Sequence, residues 1–497
     1  MAVDDEQPEQ PRQPEQPQGR SLAEATADAV VRVVTHALGG TERARVILLL
    51  AGVLALSSAD ASTVGAAAAP LRSSLHISNT DIGLLVSVTS IVAALASLPF
   101  GMLADHVRRT RVLGATITLW AVAMFWSATV SSFGELMLTR VFLGAVTASA
   151  GPLVASLIGD YFPSSERSRI WGYVLAGELV GSGVGFGFTG GIAALSWQAA
   201  FLVLALPAVV LAGFIFRLPE PERGGSSVLL HPRAKPDDDE RHGPDIHELA
   251  RRKGIKPDPA QVLDEDPEKM GVVAATKYVL HIRTNVVLIV ASACGYYFLA
   301  GVQTFGVEFI SRQYGIAQAL AGLPLLVVGT GSVVGVLIGG TLGDVLLRRG
   351  VLNARILVSA IAAAIATVLF VPPIFTRDAL TAVPYLIFAA LFLSAQNPPL
   401  DAARLDIVVP RLWGRAEAVR TMVRTGAQAL APLLFGAVSD YIFGGGRSGL
   451  QWAFFVMIFP LGASAFFLFR GLFTYPADVA AAAASMQKQL PRSPELW

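Results

Sequence analysis

Apolar stretches of about 20 residues recur along the chain, separated by short polar breaks, which is the signature of helices that cross a bilayer. The first six fall at 46–69, 82–103, 112–131, 134–158, 168–194 and 197–217. Six more fall at 285–310, 319–343, 354–375, 380–400, 416–440 and 450–474. The pattern predicts an all-α polytopic membrane protein with twelve transmembrane helices in two six-helix bundles, 45–217 and 285–474. Between them, 218–284 is rich in Pro and charge (HPRAKPDDDERHGPD, KGIKPDPAQVLDEDPEK) and cannot enter hydrocarbon, so it reads as a linker with room for one helix. Residues 1–44 begin with a Glu, Gln, Pro-rich tail lacking the apolar core of a signal peptide. The tail ends in a lead-in over 20–44, where Leu22, Val30, Val33, Val34 and Leu38 alternate with Arg20, Arg32, Arg43 and Arg45. A helix lying on the membrane surface and a plain solvated approach both fit that lead-in. Residues 475–497 read as a closing tail.

The two series echo each other. GMLAD (101–105) closes the second helix and is followed by Arg108 and Arg109; GTLGD (340–344) closes the eighth and is followed by Arg348 and Arg349. The offset of 239 (340 − 101) also carries the start of the first helix, 46, onto that of the seventh, 285. Two pseudo-symmetric halves of this kind place a binding site between them near mid-membrane. Arginines gather in alternate loops: 108, 109 and 111; 167 and 169; 348, 349 and 355; 404, 411 and 415. The opposite loops hold isolated cases, Arg72, Arg312, Arg377 and Arg447. The bias predicts that both tails and the linker are cytoplasmic, in a cell's inner (plasma) membrane.

Composition agrees. Of 497 residues 53% are hydrophobic and 15% charged, against about 25% charged in soluble proteins. The lone cysteine, Cys294, precludes an internal disulfide. GSGVGFG (181–187) resembles a dinucleotide loop, but it sits in an apolar helix with no preceding strand, where small residues serve close helix packing. No nucleophile–base pair, metal-ligand spacing or phosphate loop occurs, so the expectation is no enzyme, no cofactor, no metal and no nucleic-acid partner.

The informative residues are the polar ones inside the apolar stretches, because an ionisable group there is costly and a functional candidate by default. Asp60 and Arg140 lie ~14 Å and ~9 Å from the same end of their helices by helical rise. They can therefore pair, and protonating Asp60 would free Arg140 for an anion or shift the protein between states. A static ion pair is the alternative. Glu178 lies ~15 Å into the fifth stretch and is the second carboxylate candidate for carrying protons. The seven histidines all fall in tails, loops or helix ends. Arg420 and Arg424 share a helix face, and Gln428 continues it. Arg424, Gln428, Gln303, Gln396 and Glu308 join Arg140 and Asp60 as candidate substrate-binding residues, although Glu308 also suits a surface pair with Arg312. Asp401, Arg404 and Asp406 suit a gate or cap network.

GMLADHVRRTRVL resembles the loop signature of the major facilitator superfamily, matching at Gly101, Leu103, Ala104, Asp105 and Arg109, with Arg108 where a second Gly is usual. RVFLG (140–144) is similar to the superfamily's fourth-helix motif. The resemblance implies gating roles for Gly101, Asp105, Arg109 and, in the second half, Gly340, Asp344 and Arg348, with Asp105 capping a neighbouring helix in one state. DASTVGAAAAPL (60–71) with HISNTDIGLL (76–85), LTRVFLGA (138–145) and LSAQNPPLDAARLDIVVPRLWGRAEAV (393–419) are similar to the spinster-like lipid transporters. That branch carries Asp-Arg in helix 1 and Glu in helix 4, where this chain has Asp60-Ala61 and Thr147.

The reading is a monomeric secondary transporter working by alternating access. It is expected to couple to protons and to move an amphiphilic or anionic organic solute, such as a lysolipid, in the lipid bilayer. A drug or small-metabolite proton antiporter is the alternative in the same class. A transporter-like receptor or scaffold is the alternative in another.

Overall fold

A computed structural model describes residue 38 and residues 40–77, 79–224, 245–263, 266–316, 322–444 and 446–489. The lead-in expected over 20–44 lies largely outside the described residues. Met1–Ile47 and Leu48–Trp497 form separate units, the second of which holds the helical bundles.

Every regular element among the described residues is helical. Twelve helical segments follow one another, several of them broken once. The first half comprises α1 (Thr41–Ala66), α2 (Asn79–His106), α3 (Arg109–Thr129), α4 (Phe133–Thr147 and Ala150–Tyr161), α5 (Arg167–Val184, prolonged to Leu195) and α6 (Trp197–Phe216). The second half comprises α7 (Arg283–Tyr314), α8 (Gly322–Arg348), α9 (Ala354–Leu369 and Val371–Phe375), α10 (Ala379–Ala395 and Asn397–Ile407), α11 (Trp413–Ala437) and α12 (Gly446–Met457 and Phe459–Gln489).

Ten of the twelve are long and apolar enough to cross a membrane; α5 and α11 are not among the ten. The reason lies in what they carry. The first twelve residues of α11 hold Arg415, Glu417, Arg420 and Arg424, and α5 is interrupted by a π turn at Gly185–Thr189. The α11 charges Arg415, Glu417 and Arg420 are buried in protein, where such groups are tolerated.

The duplication read from sequence is visible in the packing: α2 lies on α4 as α8 lies on α10, and α3 lies on α6 as α9 lies on α12. Small residues set these approaches. Gly177, Gly181 and Gly185 of α5 leave room for Ala51, Ala55 and Ala59 of α1, and Gly331, Gly335 and Gly339 of α8 for Ile387, Leu391 and Ala395 of α10. The GSGVGFG stretch is thus a packing seam, pinned further by Ser62 to Ser182 (3.0 Å) and Thr63 to Thr189 (2.6 Å). Across the halves, α2 meets α11 and α5 meets α8, again as a symmetric pair.

Two expectations about the non-membrane parts are corrected. Among its described residues the linker holds two α-helices, Ile246–Arg252 and Val272–His281, where one was expected. The segment from 475 is no tail through Gln489: α12 continues, with Tyr475, Val479 and Met486 buried. Its Ala-rich turns pack against the first linker helix, which supplies the burial a free tail would lack.

Candidate functional site

Asp60 and Arg140 meet. The Arg140 Nη1 lies 3.0 Å from Asp60 Oδ1, with the residues 4% and 1% exposed. α3 contributes Ser127, whose Oγ accepts from Arg140 Nη2 at 3.0 Å, and α6 contributes Phe201, whose ring centroid lies 4.7 Å from the guanidinium carbon. Four helices therefore hold this arginine. Were Asp60 neutralised, Arg140 would keep one hydrogen bond and a cation–π contact of ~0.5–2 kcal/mol.

A second set of charges lies where α11 faces α10, α7 and the first half. Arg420 lies 2.7 Å from Asp401 and 3.0 Å from Glu417, and donates to Ser292 Oγ at 3.1 Å. Arg404 pairs with Glu417 and lies 3.6 Å from Asp401. All four are buried. Two cations and two carboxylates close on themselves, so this quartet is neutral.

Arg424, one turn further, is different. It is half-buried and makes no ion pair among the described residues. Its guanidinium lies over the Tyr296 ring, 4.6 Å from the centroid. The half-buried Glu178 of α5 lies in its field, with Arg424 the strongest charge acting on that carboxylate.

Reading the sequence alone misses Glu417, because it lies near a helix end. Its spacing from Arg420 and Arg424, three and seven residues on one α11 face, is the signal that could have found it. Tyr296, with Phe305, Phe309 and Tyr297, reads from the sequence as an α7 aromatic that either lines the cavity or packs, with nothing to tie it to Arg424.

The other polar candidates separate. Gln428 is half-buried one turn past Arg424, and Gln303 is exposed on α7. Gln396 does not line a pathway. It is 1% exposed, with Nε2 donating to the Leu393 carbonyl at 3.0 Å. It sits at the break of α10, ahead of Pro398 and Pro399, and its own carbonyl accepts from Ser359 at 2.8 Å. Glu308 pairs with Arg312 near the end of α7 remote from the linker, so it belongs to a surface pair and not to the central charges.

The linker-side ends of the helices form two matching latches. Asp105, ending α2, accepts from the Gly414 N–H (3.0 Å) and Arg415 N–H (3.3 Å) at the start of α11, and Arg415 Nε lies 3.0 Å away. Asp344, ending α8, accepts from the Ser168 N–H (3.3 Å) and Arg169 N–H (2.7 Å) at the start of α5. Each half thus caps a helix of the other, where a carboxylate meets the positive end of the helix dipole. Gly101 and Gly340 permit the approach: a Cβ on Gly101 would stand 2.7 Å from the Ala418 Cβ, and one on Gly340 would strike the Ser168 carbonyl.

Behind each latch lies a buried arginine. Arg109 binds Asp160 and lies 2.8 Å from Glu220. Arg355 binds Asp406, lies 3.1 Å from Asp344 and donates to the Ser164 carbonyl of the opposite half. Arg348 has no part in this: it is exposed. The offset explains why. Asp160 to Asp406 and Arg109 to Arg355 are both 246 residues apart (406 − 160; 355 − 109). The stretch from Asp344 to Arg355 is longer by seven than the stretch from Asp105 to Arg109, through a longer α8 end and a longer loop, which moves the equivalent arginine from 348 to 355.

The linker straps this face. Ile246 N–H donates to Ser164 Oγ at 3.0 Å, and His247 Nε2 lies 2.8 Å from the Asp406 carbonyl oxygen. Leu263 N–H donates to Ser485 Oγ at 2.9 Å, and Arg415 Nη1 to the Met270 carbonyl at 3.0 Å. Burial pulls the His247 imidazole down, but the Asp245 carboxylate 3.0 Å from Nδ1 outweighs it and holds the pKa above its ordinary value. Asp245 is pushed up by burial and held below its ordinary range by His247 in return.

Comparison with known proteins places this arrangement. The profile of the Major Facilitator Superfamily matches residues 50–305. The chain is 28% identical over 167 residues to the probable L-galactonate transporter of Escherichia coli (strain K12), covering 33% of this chain and 37% of that one. It is 28% identical over 186 residues to protein spinster homolog 1 of Xenopus tropicalis, covering 36% of this chain and 35% of that one. The matches thus span little more than a third of either relative's length. A crystal structure of a bacterial homolog of the human lysosomal transporter spinster, inward-facing and unoccupied, shares the fold: TM-score 0.55 at 19% identity, over 88% of this chain and 98% of that one.

Proposed function

This chain belongs to the major facilitator superfamily, and on that premise we propose that it is a proton-coupled secondary transporter of a small organic anion, working by alternating access. One observation carries the substrate class. Of the cations at the seam, Arg404 and Arg420 are matched by buried carboxylates, whereas Arg424 has none and rests on the Tyr296 ring. A guanidinium so held is a bidentate receptor for a carboxylate or phosphate. The E. coli relative's name, a probable galactonate transporter, supports the carboxylate form. The spinster likeness supports an amphiphilic anion such as a lysolipid, whose phosphate would meet the same group.

Asp60 is the coupling carboxylate in this reading. Protonation breaks its pair with Arg140 at a cost that Ser127 and Phe201 reduce, and Glu178, in the field of Arg424, answers to substrate charge. The contacts at the ends of α2 and α8 support a conformer closed on the linker face. The arginine bias supports a cytoplasmic linker side, and we place the chain in a cell's plasma membrane on this reading. Each named site is completed within one chain, which fits a monomer.

Proteoliposomes with an imposed pH gradient test the proposal, using L-galactonate and a lysophosphatidylglycerol as probes. The expectation is gradient-driven accumulation of one of them, lost in Arg424→Gln and uncoupled from pH in folded Asp60→Asn. Unchanged pH dependence in Asp60→Asn removes its coupling role. Binding without flux assigns a receptor instead.

A further inference from the structure

A small cavity of about 30 Å³, measured as the room open to a water's centre, lies among α1, α3 and α4, lined by Leu56, Ser57, Thr116, Trp120, Thr147 and Ser149 among others. Its place is fixed from three directions. On α1, Ser57 and Leu56 lie three and four residues to the linker side of Asp60, ~5–6 Å by helical rise. On α4, which runs the other way, Thr147 lies seven residues to the linker side of Arg140, ~10 Å. On α3, Trp120 lies seven residues to the linker side of Ser127, the partner of Arg140, again ~10 Å. All three helices put the cavity directly beneath the Asp60–Arg140 pair.

Its chemistry is unusual for a gap between apolar helices. α4 breaks at this level, between Thr147 and Ala150. Pro152 supplies the cause: it has no N–H for the Ala148 carbonyl one turn back. The Thr116, Thr147 and Ser149 hydroxyls donate to the carbonyls of Leu113 (3.0 Å), Leu143 (3.0 Å) and Val146 (2.9 Å), so their lone pairs remain free to accept. Trp120 is 4% exposed, and its indole N–H has no partner among the described residues. A residue with an orphan donor and three residues with acceptor oxygens line the same cavity, and a buried water satisfies such groups with two to four hydrogen bonds. An apolar ligand would leave the indole N–H unpaired, at a desolvation cost that a water does not incur.

We propose that this cavity is a hydrated chamber through which Asp60 exchanges its proton, with Trp120 as the donor that positions its water and Thr116 and Ser57 as acceptors along the route. The inference rests on Asp60 being the coupling carboxylate. The route moves a proton between water and the Asp60 carboxyl with no other bond made or broken. Trp120 and Thr116 touch neither Asp60 nor Arg140 in any hydrogen bond of the structure, so they position water and do not bind substrate.

The test is a stopped-flow pH jump on the purified full-length protein with a soluble pH indicator and no substrate. The phase missing from Asp60→Asn belongs to Asp60. Trp120→Phe and Thr116→Val are expected to slow that phase about tenfold or more while leaving its amplitude, and Thr116→Ser is expected to restore the rate. An unchanged rate in folded Trp120→Phe and Thr116→Val overturns the chamber while leaving Asp60 as coupling group. If no phase separates wild type from Asp60→Asn, the coupling role itself falls, and the chamber with it.

Discussion

Gly101→Ala is the sharpest perturbation of the gate, because it adds one carbon at the tightest part of the α2–α11 crossing. The new Cβ would stand 2.7 Å from the Ala418 Cβ and 2.8 Å from the Gly414 carbonyl oxygen. Ordinary contact begins at 3.4 Å, so the helices must part by about 0.7 Å (3.4 − 2.7) at this level. The Asp105 bond to the Gly414 N–H would then stretch from 3.0 Å to about 3.7 Å (3.0 + 0.7), beyond hydrogen-bonding reach. Overpacking of this size costs ~1–3 kcal/mol, and in the proposed alternating-access cycle only the latched state bears it, because α2 and α11 would separate when the linker face opens. At ~1.4 kcal/mol per decade, the latched-to-open ratio should fall ~5- to ~150-fold. Spin labels at Arg108→Cys and Arg348→Cys, both exposed and one in each half, report this by electron–electron distance measurement in a Cys294→Ser background. A longer distance should appear in Gly101→Ala. A distribution identical to wild type in a protein that folds normally would show that the crossing is no gate.

With the same labels moved to Arg111 and Arg349, Arg355→Ala should open the linker face, since losing one partner of a buried pair costs ~3–5 kcal/mol; Arg348→Ala should leave it closed, and equal effects would refute the assignment of Arg355. The strap should be sensitive to pH through His247, which faces the Asp245 carboxylate, the Asp406 carbonyl and, more distantly, the Asp406 carboxylate. With its docked pKa raised, the histidine's contribution is full below the undocked value of ~6.5 and lost as pH rises through the docked one. The depressed Asp245 contributes above ~3.9 and loses its part as pH falls through its docked value. Amide exchange in Ile246–Arg252, corrected for intrinsic rate, should therefore lose protection on the alkaline side, and His247→Gln should flatten that loss. Gly181→Val would drive a side chain into the Ala55 carbonyl, so thermal unfolding in detergent should drop sharply, by more than Gly183→Val, where a Cβ meets nothing within 4 Å.

The apolar spans, the two halves and the charges stranded inside them were determined by the sequence alone. Hydropathy is a property of each segment by itself, and the free energy of leaving water does not depend on which neighbours the segment later meets. The depths of Asp60 and Arg140 could likewise be counted along their helices, and that count was enough to bring them together. Tertiary structure decided the rest. Each residue turns a helix by 100°, so a break or a lengthened loop redirects every side chain beyond it. The longer stretch after Asp344 gave the second latch Arg355 in place of Arg348, and the break before Pro398 turned Gln396 into the bundle. The closing of Glu417 on Arg404 and Arg420 left Arg424 alone over Tyr296, and the end of α12 became helix once the linker covered it. Those outcomes depend on which faces meet, and a chain written in one dimension carries no facing.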